Sequence, residues 1–127
     1  MRPVNLFLTE AGALKLGYYG LATQAECYGI KGMNCDGVRS FAPDVFKGGY
    51  EMKGDVWSFG IALLEVMGMT PYVKYETDGL PTLNGGFESP FDVYDIKSSE
   101  LADFMEKCFQ EYDRWSVDEL MNVGVMR

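Results

Sequence analysis

The chain has 127 residues, of which 47% are hydrophobic and 14% aromatic, so it is long enough for one folded domain. This composition indicates a globular core and excludes a disordered chain. The net charge of −8 argues against binding to nucleic acid or to an anionic membrane through bulk electrostatics.

The sequence contains no histidine, which excludes a hydrolase built on a Ser–His or Cys–His pair within this chain. Its three cysteines, Cys27, Cys35 and Cys108, lack the C-x-x-C spacing of a zinc or redox site, so we predict free thiols. The N-terminus lacks the pattern of a secretory signal, and the longest apolar-rich stretch is too short to span a membrane. These features together predict a cytoplasmic protein.

The first elements along the chain form a predicted hairpin. The stretch "NLFLTEAGALKL", residues 5–16, predicts two short strands joined by a turn in which Gly12 supplies a positive φ. Residues 23–40 have no hydrophobic period and contain three glycines, which predicts an irregular loop.

A central helix is predicted next, in "DVWSFGIALLEVM", residues 55–67. Apolar side chains cover nearly every side of it, which is typical of a helix buried on several faces. Asp55 is the predicted N-cap, and Gly68 with Pro71 is expected to end the helix.

The remaining elements are a loop and two further helices. Residues 68–97 predict mostly loop, with one short helix near 91–94. Apolar residues then follow helical spacing on one face: Leu101, Phe104, Met105, Cys108 and Phe109. The last helix opens with the capping-box pattern Ser116-x-x-Glu119, and Val117, Leu120 and Met121 are expected to give it a short apolar face.

Several stretches together resemble the C-terminal lobe of a protein kinase, on the Ser/Thr side and nearest the sterile-20-like group. They are "RPVNLFLTEAGALKL", "FAPDVF", "MKGDVWSFGIALLEVM" and "FMEKCF…DRWSVDELM". The third carries the Asp-x-Trp-Ser-x-Gly signature at Asp55, Trp57 and Gly60. The resemblance implies a mainly α fold: a kinase-like C-lobe with a short N-terminal β-hairpin and a buried central helix at about residues 55–67. Residues 1–127 would form a partial kinase domain with the N-lobe absent.

The resemblance assigns roles around the metal site to particular residues. Asn5 falls at the catalytic-loop asparagine, which holds the second Mg²⁺ in the family. Tyr18, Tyr19 and Gly20 fall at the positions of Asp-Phe-Gly. Thr23, Tyr28 and Ser40 would lie on the activation loop, where phosphorylation is possible.

Other residues receive structural roles from the resemblance. Ala42, Pro43 and Asp44 occupy the Ala-Pro-Glu positions, and Arg114 lies where the family keeps the arginine that pairs with that acid. Asp55 matches the aspartate that braces the catalytic loop. The interval from Cys108 to Arg114 is shorter than in the family, and Asp is shorter than Glu, so the pairing is left open at this point.

The departures from the family pattern bear on activity. Tyr18 puts a neutral phenol, with an ordinary pKa of about 10, where a Mg²⁺-binding carboxylate is expected. The chain also starts beyond the expected His-Arg-Asp, the glycine-rich loop and the ATP-anchoring lysine, so we expect no catalytic residue here.

Two functions remain in view. The first is a catalytically inactive, pseudokinase-like module that acts through protein contacts of an exposed C-lobe surface and needs no cofactor. The second is a fragment of an ATP-dependent protein serine/threonine kinase, which would use ATP and Mg²⁺. Neither function implies nucleic acid or membrane as a partner.

Overall fold

A computed structural model describes residues 3–17, 41–46, 52–72 and 89–122. Within these ranges the protein is mainly helical, with one two-stranded sheet. The elements in chain order are a 3₁₀ turn at Pro3–Asn5, strands β1 (Leu6–Leu8) and β2 (Leu14–Leu16), helices α1 (Pro43–Phe46) and α2 (Gly54–Val66), a 3₁₀ turn at Val93–Asp95, and helices α3 (Ser99–Cys108) and α4 (Val117–Met121). The predicted loop at 23–40 lies outside the described residues.

The predicted N-terminal hairpin is confirmed. Strands β1 and β2 are antiparallel, and the pairs Leu6–Leu16 and Leu8–Leu14 share one face, while Phe7 and Lys15 share the other. The turn is closed by the Thr9 carbonyl, which accepts from the Gly12 N–H at 2.9 Å. Gly12 has φ +80°, the left-handed conformation that glycine adopts without steric cost.

Helix α2 begins one residue earlier than predicted, and the predicted N-cap is wrong. The N-cap position is Lys53, which makes no side-chain cap bond, and Asp55 is an exposed residue of the first turn. An acidic side chain in this turn still interacts favourably with the positive end of the helix dipole. The N-cap rule failed here because Gly54 already adopts helical geometry.

The predicted end of α2 is confirmed. Gly68 has φ +80°, its N–H donates to the Glu65 carbonyl, and the Met69 N–H donates to the Leu64 carbonyl, both at 3.0 Å. These two bonds form a Schellman motif, in which a left-handed glycine satisfies the last carbonyls of a helix.

The core lies between α2 and α3. Trp57, Ile61 and Leu64 of α2 are at most 1% exposed, and Phe104, Met105 and Cys108 of α3 are equally buried. Trp57 and Phe109 pack edge to face with ring centroids 5.0 Å apart, an arrangement favoured by the ring quadrupoles. The predicted amphipathic helix is therefore confirmed as core.

The burial of α2 is less complete than its sequence suggested. Val66 is 66% exposed, so the helix is enclosed only as far as Leu64. The predicted short helix near 91–94 is observed as the 3₁₀ turn Val93–Asp95, in which Asp92 caps the Tyr94 N–H at 3.1 Å. No helix within the described ranges is both long and apolar enough to cross a membrane.

Helix α4 has the predicted capping box but not the predicted apolar face. The Ser116 hydroxyl accepts from the Glu119 N–H at 3.3 Å, and the Glu119 carboxylate accepts from the Ser116 N–H at 2.7 Å. Of the three apolar residues only Leu120 is buried, because Val117 and Met121 lie on sides of this short helix that face away from the core.

The capping box predicts a pH dependence of stability. The Ser116 N–H and then the Ser116 hydroxyl hold the pKa of Glu119 below its ordinary value. A lowered pKa means that ionised Glu119 stabilises the fold above about pH 4.3, its unfolded pKa, and that this stabilisation is lost as the pH falls through the folded pKa. Glu119→Gln should therefore be less stable than the parent at pH 7, with the gap closing in acid.

Urea unfolding between pH 3 and 7 measures that gap. Glu106→Gln is the matched control, since Glu106 is an exposed glutamate of α3 outside any capping box. A gap for Glu119→Gln that stays constant over this pH range would contradict the role assigned to its carboxylate.

Candidate functional site

The best-defined polar site is formed around Arg114, and we call it the Arg114 site: Asp44, Lys53, Trp57, Gln110 and Arg114. Three separate elements supply these residues. Asp44 lies in the first turn of α1, and Lys53 and Trp57 lie at the start of α2. Gln110 and Arg114 lie between α3 and α4.

A left-handed residue brings Arg114 to this position. Asp113 has φ +53°, a conformation that aspartate adopts more readily than most non-glycine residues. It turns the chain sharply after α3, so the short interval between Cys108 and Arg114 still delivers the guanidinium to α1. The short interval from Cys108 to Arg114 therefore does not prevent Arg114 from pairing with Asp44.

The ion pair between Asp44 and Arg114 is bidentate. Arg114 Nη2 donates to Asp44 Oδ1 at 2.7 Å, and Nη1 donates to Asp44 Oδ2 at 3.1 Å. Two parallel bonds of this kind fix orientation as well as charge. Arg114 and Asp44 have 3% and 27% of their side-chain surface exposed, so the pair is largely withdrawn from water.

Backbone carbonyls satisfy most of the remaining guanidinium donors. Nη1 also donates to the Lys53 carbonyl at 3.1 Å, and Nε donates to the Gln110 carbonyl at 3.0 Å. The face of the Trp57 ring lies 5.1 Å from the Arg114 Cζ, within the range of a cation–π interaction. A buried arginine with these partners joins α1, the start of α2 and the end of α3.

Two core groups show the electrostatic influence of this arginine. Burial raises the pKa of the Cys108 thiol to about 12, and the positive charge of Arg114 acts weakly in the opposite direction. Cys108 is thus a neutral, buried thiol, as predicted for a free cysteine. Burial also raises the pKa of the Tyr72 phenol, with Trp57 and then Arg114 acting against the rise.

Three other residues to which the resemblance gives structural roles, Ala42, Pro43 and Gly60, are also buried in close-packed surroundings. Ala42 is 1% exposed and Pro43 is fully buried, next to Asp44. A β-carbon on Gly60 would lie 2.7 Å from the Phe109 Cζ, so only a glycine lets α2 approach Phe109 this closely.

The residues assigned to metal chemistry are only partly described. The Asn5 carbonyl accepts from the Gly17 N–H at 2.8 Å, which places Asn5 opposite the residue that precedes Tyr18. Tyr18, Gly20, Thr23, Tyr28 and Ser40 lie outside the described residues, as do Cys27 and Cys35. Among the described residues, no group of three or more Asp, Glu or Cys side chains could hold a metal ion.

Asp55 lies between Lys53 and Trp57 in the first turn of α2. Its side chain is exposed at the start of α2, and the same helix contacts the Pro3–Asn5 turn that precedes the hairpin. The bracing role assigned to Asp55 stays a prediction.

Sequence reasoning missed two contributors to the Arg114 site and one buried residue of the adjoining core. Lys53 and Gln110 act through backbone carbonyls, for which side-chain identity carries no signal. Tyr72 follows Pro71 in a loop that seemed irregular, yet it is buried in the same core as Trp57. The sequence did offer one signal for the burial of Tyr72: it is an aromatic residue that directly follows a proline near the end of a helix.

Comparison with known proteins agrees with this architecture. A sequence model of the protein kinase domain matches residues 1–126. The chain therefore belongs to the protein kinase family.

Individual relatives are protein kinases of several kinds, one of them named as a serine/threonine-protein kinase. The chain is 31% identical to the probable serine/threonine-protein kinase WNK9 of Oryza sativa subsp. japonica over 130 residues, or 97% of this chain and 30% of the relative. It is 35% identical to CBL-interacting protein kinase 24 of the same organism over 99 residues, or 72% of this chain and 21% of the relative. Mitogen-activated protein kinase kinase kinase 1b of Physcomitrium patens is 28% identical over 84% of this chain and 14% of the relative.

The chain thus spans less than a third of the length of these relatives. The match to the protein kinase domain model covers both the Arg114 site and the hairpin. The narrower sterile-20-like grouping stays a prediction.

Proposed function

We propose that residues 1–127 form the C-lobe part of a protein kinase domain that has lost phosphoryl-transfer activity and works through protein contacts. The observation that carries the proposal is the residue after Gly17. Gly17 is fixed to Asn5 by a backbone bond of 2.8 Å, so the next residue follows the end of the hairpin, where the family places its Mg²⁺-binding aspartate. In this chain that residue is Tyr18.

The chemistry of this position supports inactivity. Mg²⁺ is a hard cation that binds carboxylate oxygens and the oxygens of phosphates and water. A phenol with a pKa of about 10 is neutral at physiological pH and offers no charge to the metal. Because phosphoryl transfer depends on positioning and on neutralising phosphate charge, loss of this ligand removes a principal contribution. The resemblance also puts Gly37 where the family keeps an activation-segment threonine that contacts the catalytic aspartate, so this contact is a second loss.

An exposed apolar surface supports a role in protein contact. On the leucine-bearing face of the hairpin, Leu8 is 73% exposed and Leu14 is 62% exposed. Contiguous exposed apolar side chains mark protein interaction sites when they form a large enough patch, and we propose that this face is part of one. No cofactor is needed for such a role, and a cytoplasmic location fits it.

The alternative is that the chain is part of a working ATP-dependent protein serine/threonine kinase, with ATP and Mg²⁺ as cofactors and Asn5 as a metal ligand. The specific observation in its favour is the Arg114 site, whose bidentate ion pair joins the two residues that the resemblance assigns to the family's acid–arginine pair. Even then, Tyr18 leaves the site one carboxylate short.

Thermal unfolding with and without MgATP tests the inactive assignment. The parent chain is expected to show no Mg²⁺-dependent rise in Tm on adding ATP. A ligand present at a hundred times its Kd would stabilise the native state by about 2.7 kcal/mol, which is several degrees in Tm for a domain of this size. A rise of that order in the parent chain would refute the inactive assignment.

Two variants of Tyr18 sharpen the result. Tyr18→Asp restores the carboxylate, and Tyr18→Asn changes size and polarity without charge, so it is the matched control. A Mg²⁺-dependent rise in Tyr18→Asp alone would identify the phenol as the main lesion. No rise in either variant would show that more than this ligand has been lost.

A further inference from the structure

The hairpin has an open edge along β1, and its register shows which backbone groups lie there. Two bonds, one on each side of the paired strands, fix the alternation of the ladder: the Gly17 N–H to the Asn5 carbonyl at 2.8 Å, and the Thr9 N–H to the Ala13 carbonyl at 2.9 Å. Hydrogen-bonded and non-hydrogen-bonded pairs alternate in an antiparallel ladder, so Phe7 bonds to Lys15. The Leu6 carbonyl and the Leu8 N–H therefore point away from β2.

This edge is favourable for the addition of another strand. Among the described residues, only β2 packs extensively against β1. Phe7 is 57% exposed and Leu8 is 73% exposed, and Leu6–Leu8 contains neither a charge nor a proline, the features that usually protect an edge strand. A hairpin of two strands is marginally stable by itself, whereas three or more strands with an apolar face are stable.

The sequence of β1 is complementary to a second copy of itself. Leu6-Phe7-Leu8 reads the same in both directions. When two copies pair antiparallel about Phe7, the Leu8 N–H of each copy donates to the Leu6 carbonyl of the other, which are the groups at the open edge. The leucines continue on one face of the sheet, and the two Phe7 rings lie opposite each other on the other face, a favourable cross-strand pair. A symmetric dimer requires a self-complementary surface of this kind.

Charge selects β1 over β2 for this pairing. The sequence of β2, Leu14-Lys15-Leu16, is also the same in both directions. The equivalent arrangement of β2 would place two Lys15 ammonium groups directly opposite each other, which is destabilising. No like charges meet when the two copies pair through β1.

We propose that the edge of β1 is a self-association surface: two copies of the chain join their β1 strands antiparallel about Phe7 and form a four-stranded sheet in the order β2, β1, β1, β2. The dimer specifies a partner for the contact role proposed above, and it rests on that role. Two paired strands of three residues bury less than the roughly 800 Å² per partner of a standard interface, so the dimer is weak. Each copy carries a net charge of −8, and salt screens the resulting repulsion.

Sedimentation equilibrium of the whole chain tests the proposal. Between about 5 and 500 μM, a range suited to a weak interface, the chain should change from monomer to dimer. The dimer fraction should rise between about 0.05 and 0.5 M NaCl, because the like charges are screened. A chain that stays monomeric throughout would overturn the proposal. Association beyond a dimer would also overturn it, since pairing about Phe7 leaves no β1 edge free.

Leu8→Lys and its matched control Leu14→Lys test the arrangement. Leu14 is the cross-strand neighbour of Leu8 on the same face and is 62% exposed, but in the dimer it lies on the outer strand. Leu8→Lys should weaken dimerisation at least about tenfold, because an apolar side chain is replaced by a charge at the contact. Leu14→Lys should change it by less than about threefold. Equal weakening would contradict edge pairing and indicate contact between leucine-bearing faces.

A charge exchange at Phe7 tests the register. Phe7→Lys and Phe7→Glu should each be monomeric alone, because like charges would lie opposite each other, and an equimolar mixture should form a heterodimer. A mixture that stays monomeric would contradict the register about Phe7. Since Phe7 also packs on Gly17, the comparison of the two exposed leucines decides the outcome if these variants fail to fold.

The result is distinguishable from that of the MgATP experiment. A monomeric chain with no Mg²⁺-dependent rise in Tm would overturn self-association and leave the inactive assignment intact. A dimeric chain that shows such a rise would support self-association and refute the inactive assignment.

Discussion

Replacing Arg114 with alanine is expected to destabilise the protein by about 3–5 kcal/mol, the cost of removing one member of a buried ion pair. The substitution leaves the Asp44 carboxylate without its bidentate partner and frees the Lys53 and Gln110 carbonyls. It also removes the cation from the Trp57 ring. Since small domains have about 5–15 kcal/mol of stability in total, the loss should remove at least about a fifth of the free energy of unfolding.

Lys107→Ala is the matched control for this prediction. Lys107 also pairs with a carboxylate, Asp103, one helical turn away, and lies 4.7 Å from the centre of the Trp115 ring. Asp103, however, is 56% exposed. A surface pair of this kind contributes about 1 kcal/mol or less, and the cation–π contact adds a similar amount. Urea unfolding with linear extrapolation measures both variants, and equal losses would show that burial of the Arg114 site contributes nothing.

Gly60→Ala is expected to destabilise the protein by about 1–3 kcal/mol, the usual cost of overpacking a core. The new β-carbon would lie 2.7 Å from the Phe109 Cζ and 3.1 Å from the Cys108 Cβ. Phe109 is 3% exposed and packs edge to face on Trp57, so moving its ring would disturb core contacts. The higher helix propensity of alanine, about 1 kcal/mol, offsets part of this cost.

Gly54→Ala in the same helix separates packing from propensity. A β-carbon at Gly54 meets no atom within 4 Å, so this substitution should be neutral or stabilising by up to about 1 kcal/mol. Opposite signs for the two glycines, measured by thermal unfolding, are the expected result. A stabilising Gly60→Ala would mean that the α2–α3 contact is looser than described.

Features that depend on neighbouring residues could be predicted from the sequence. The hairpin follows from alternating leucines around Gly12, and the capping box of α4 follows from Ser116 and Glu119 alone. The end of α2 at Gly68 is of the same kind, because a left-handed glycine and two carbonyls a few residues back form a local motif.

Features that depend on distant packing could not be predicted in the same way. Asp55 looked like an N-cap, but the position of α2 against the core starts the helix at Gly54. Val117 and Met121 looked like an apolar face, but a helix of five residues can bury only the side that meets the core.

The Arg114 site shows the same limit. Its ion pair was suggested by resemblance, whereas its geometry depends on the left-handed Asp113 and on the Lys53 and Gln110 carbonyls. Backbone acceptors have no signature in a sequence. Of the region assigned to metal binding, the structure describes only Asn5 and the neighbouring Gly17. The loss assigned to Tyr18 therefore depends on the chemistry of its side chain and on its position in the chain.

The separation of Asp44 and Arg114 along the chain has a consequence for how the protein assembles. The two residues are 70 positions apart, so their contact carries a large loop-closure entropy and forms slowly compared with contacts inside a helix. During synthesis on a ribosome, Asp44 would emerge well before Arg114. Helix α1 would therefore lack this ion pair until synthesis had passed α3. The order of synthesis therefore means that α1 cannot complete its docking through this ion pair until Arg114 has been made.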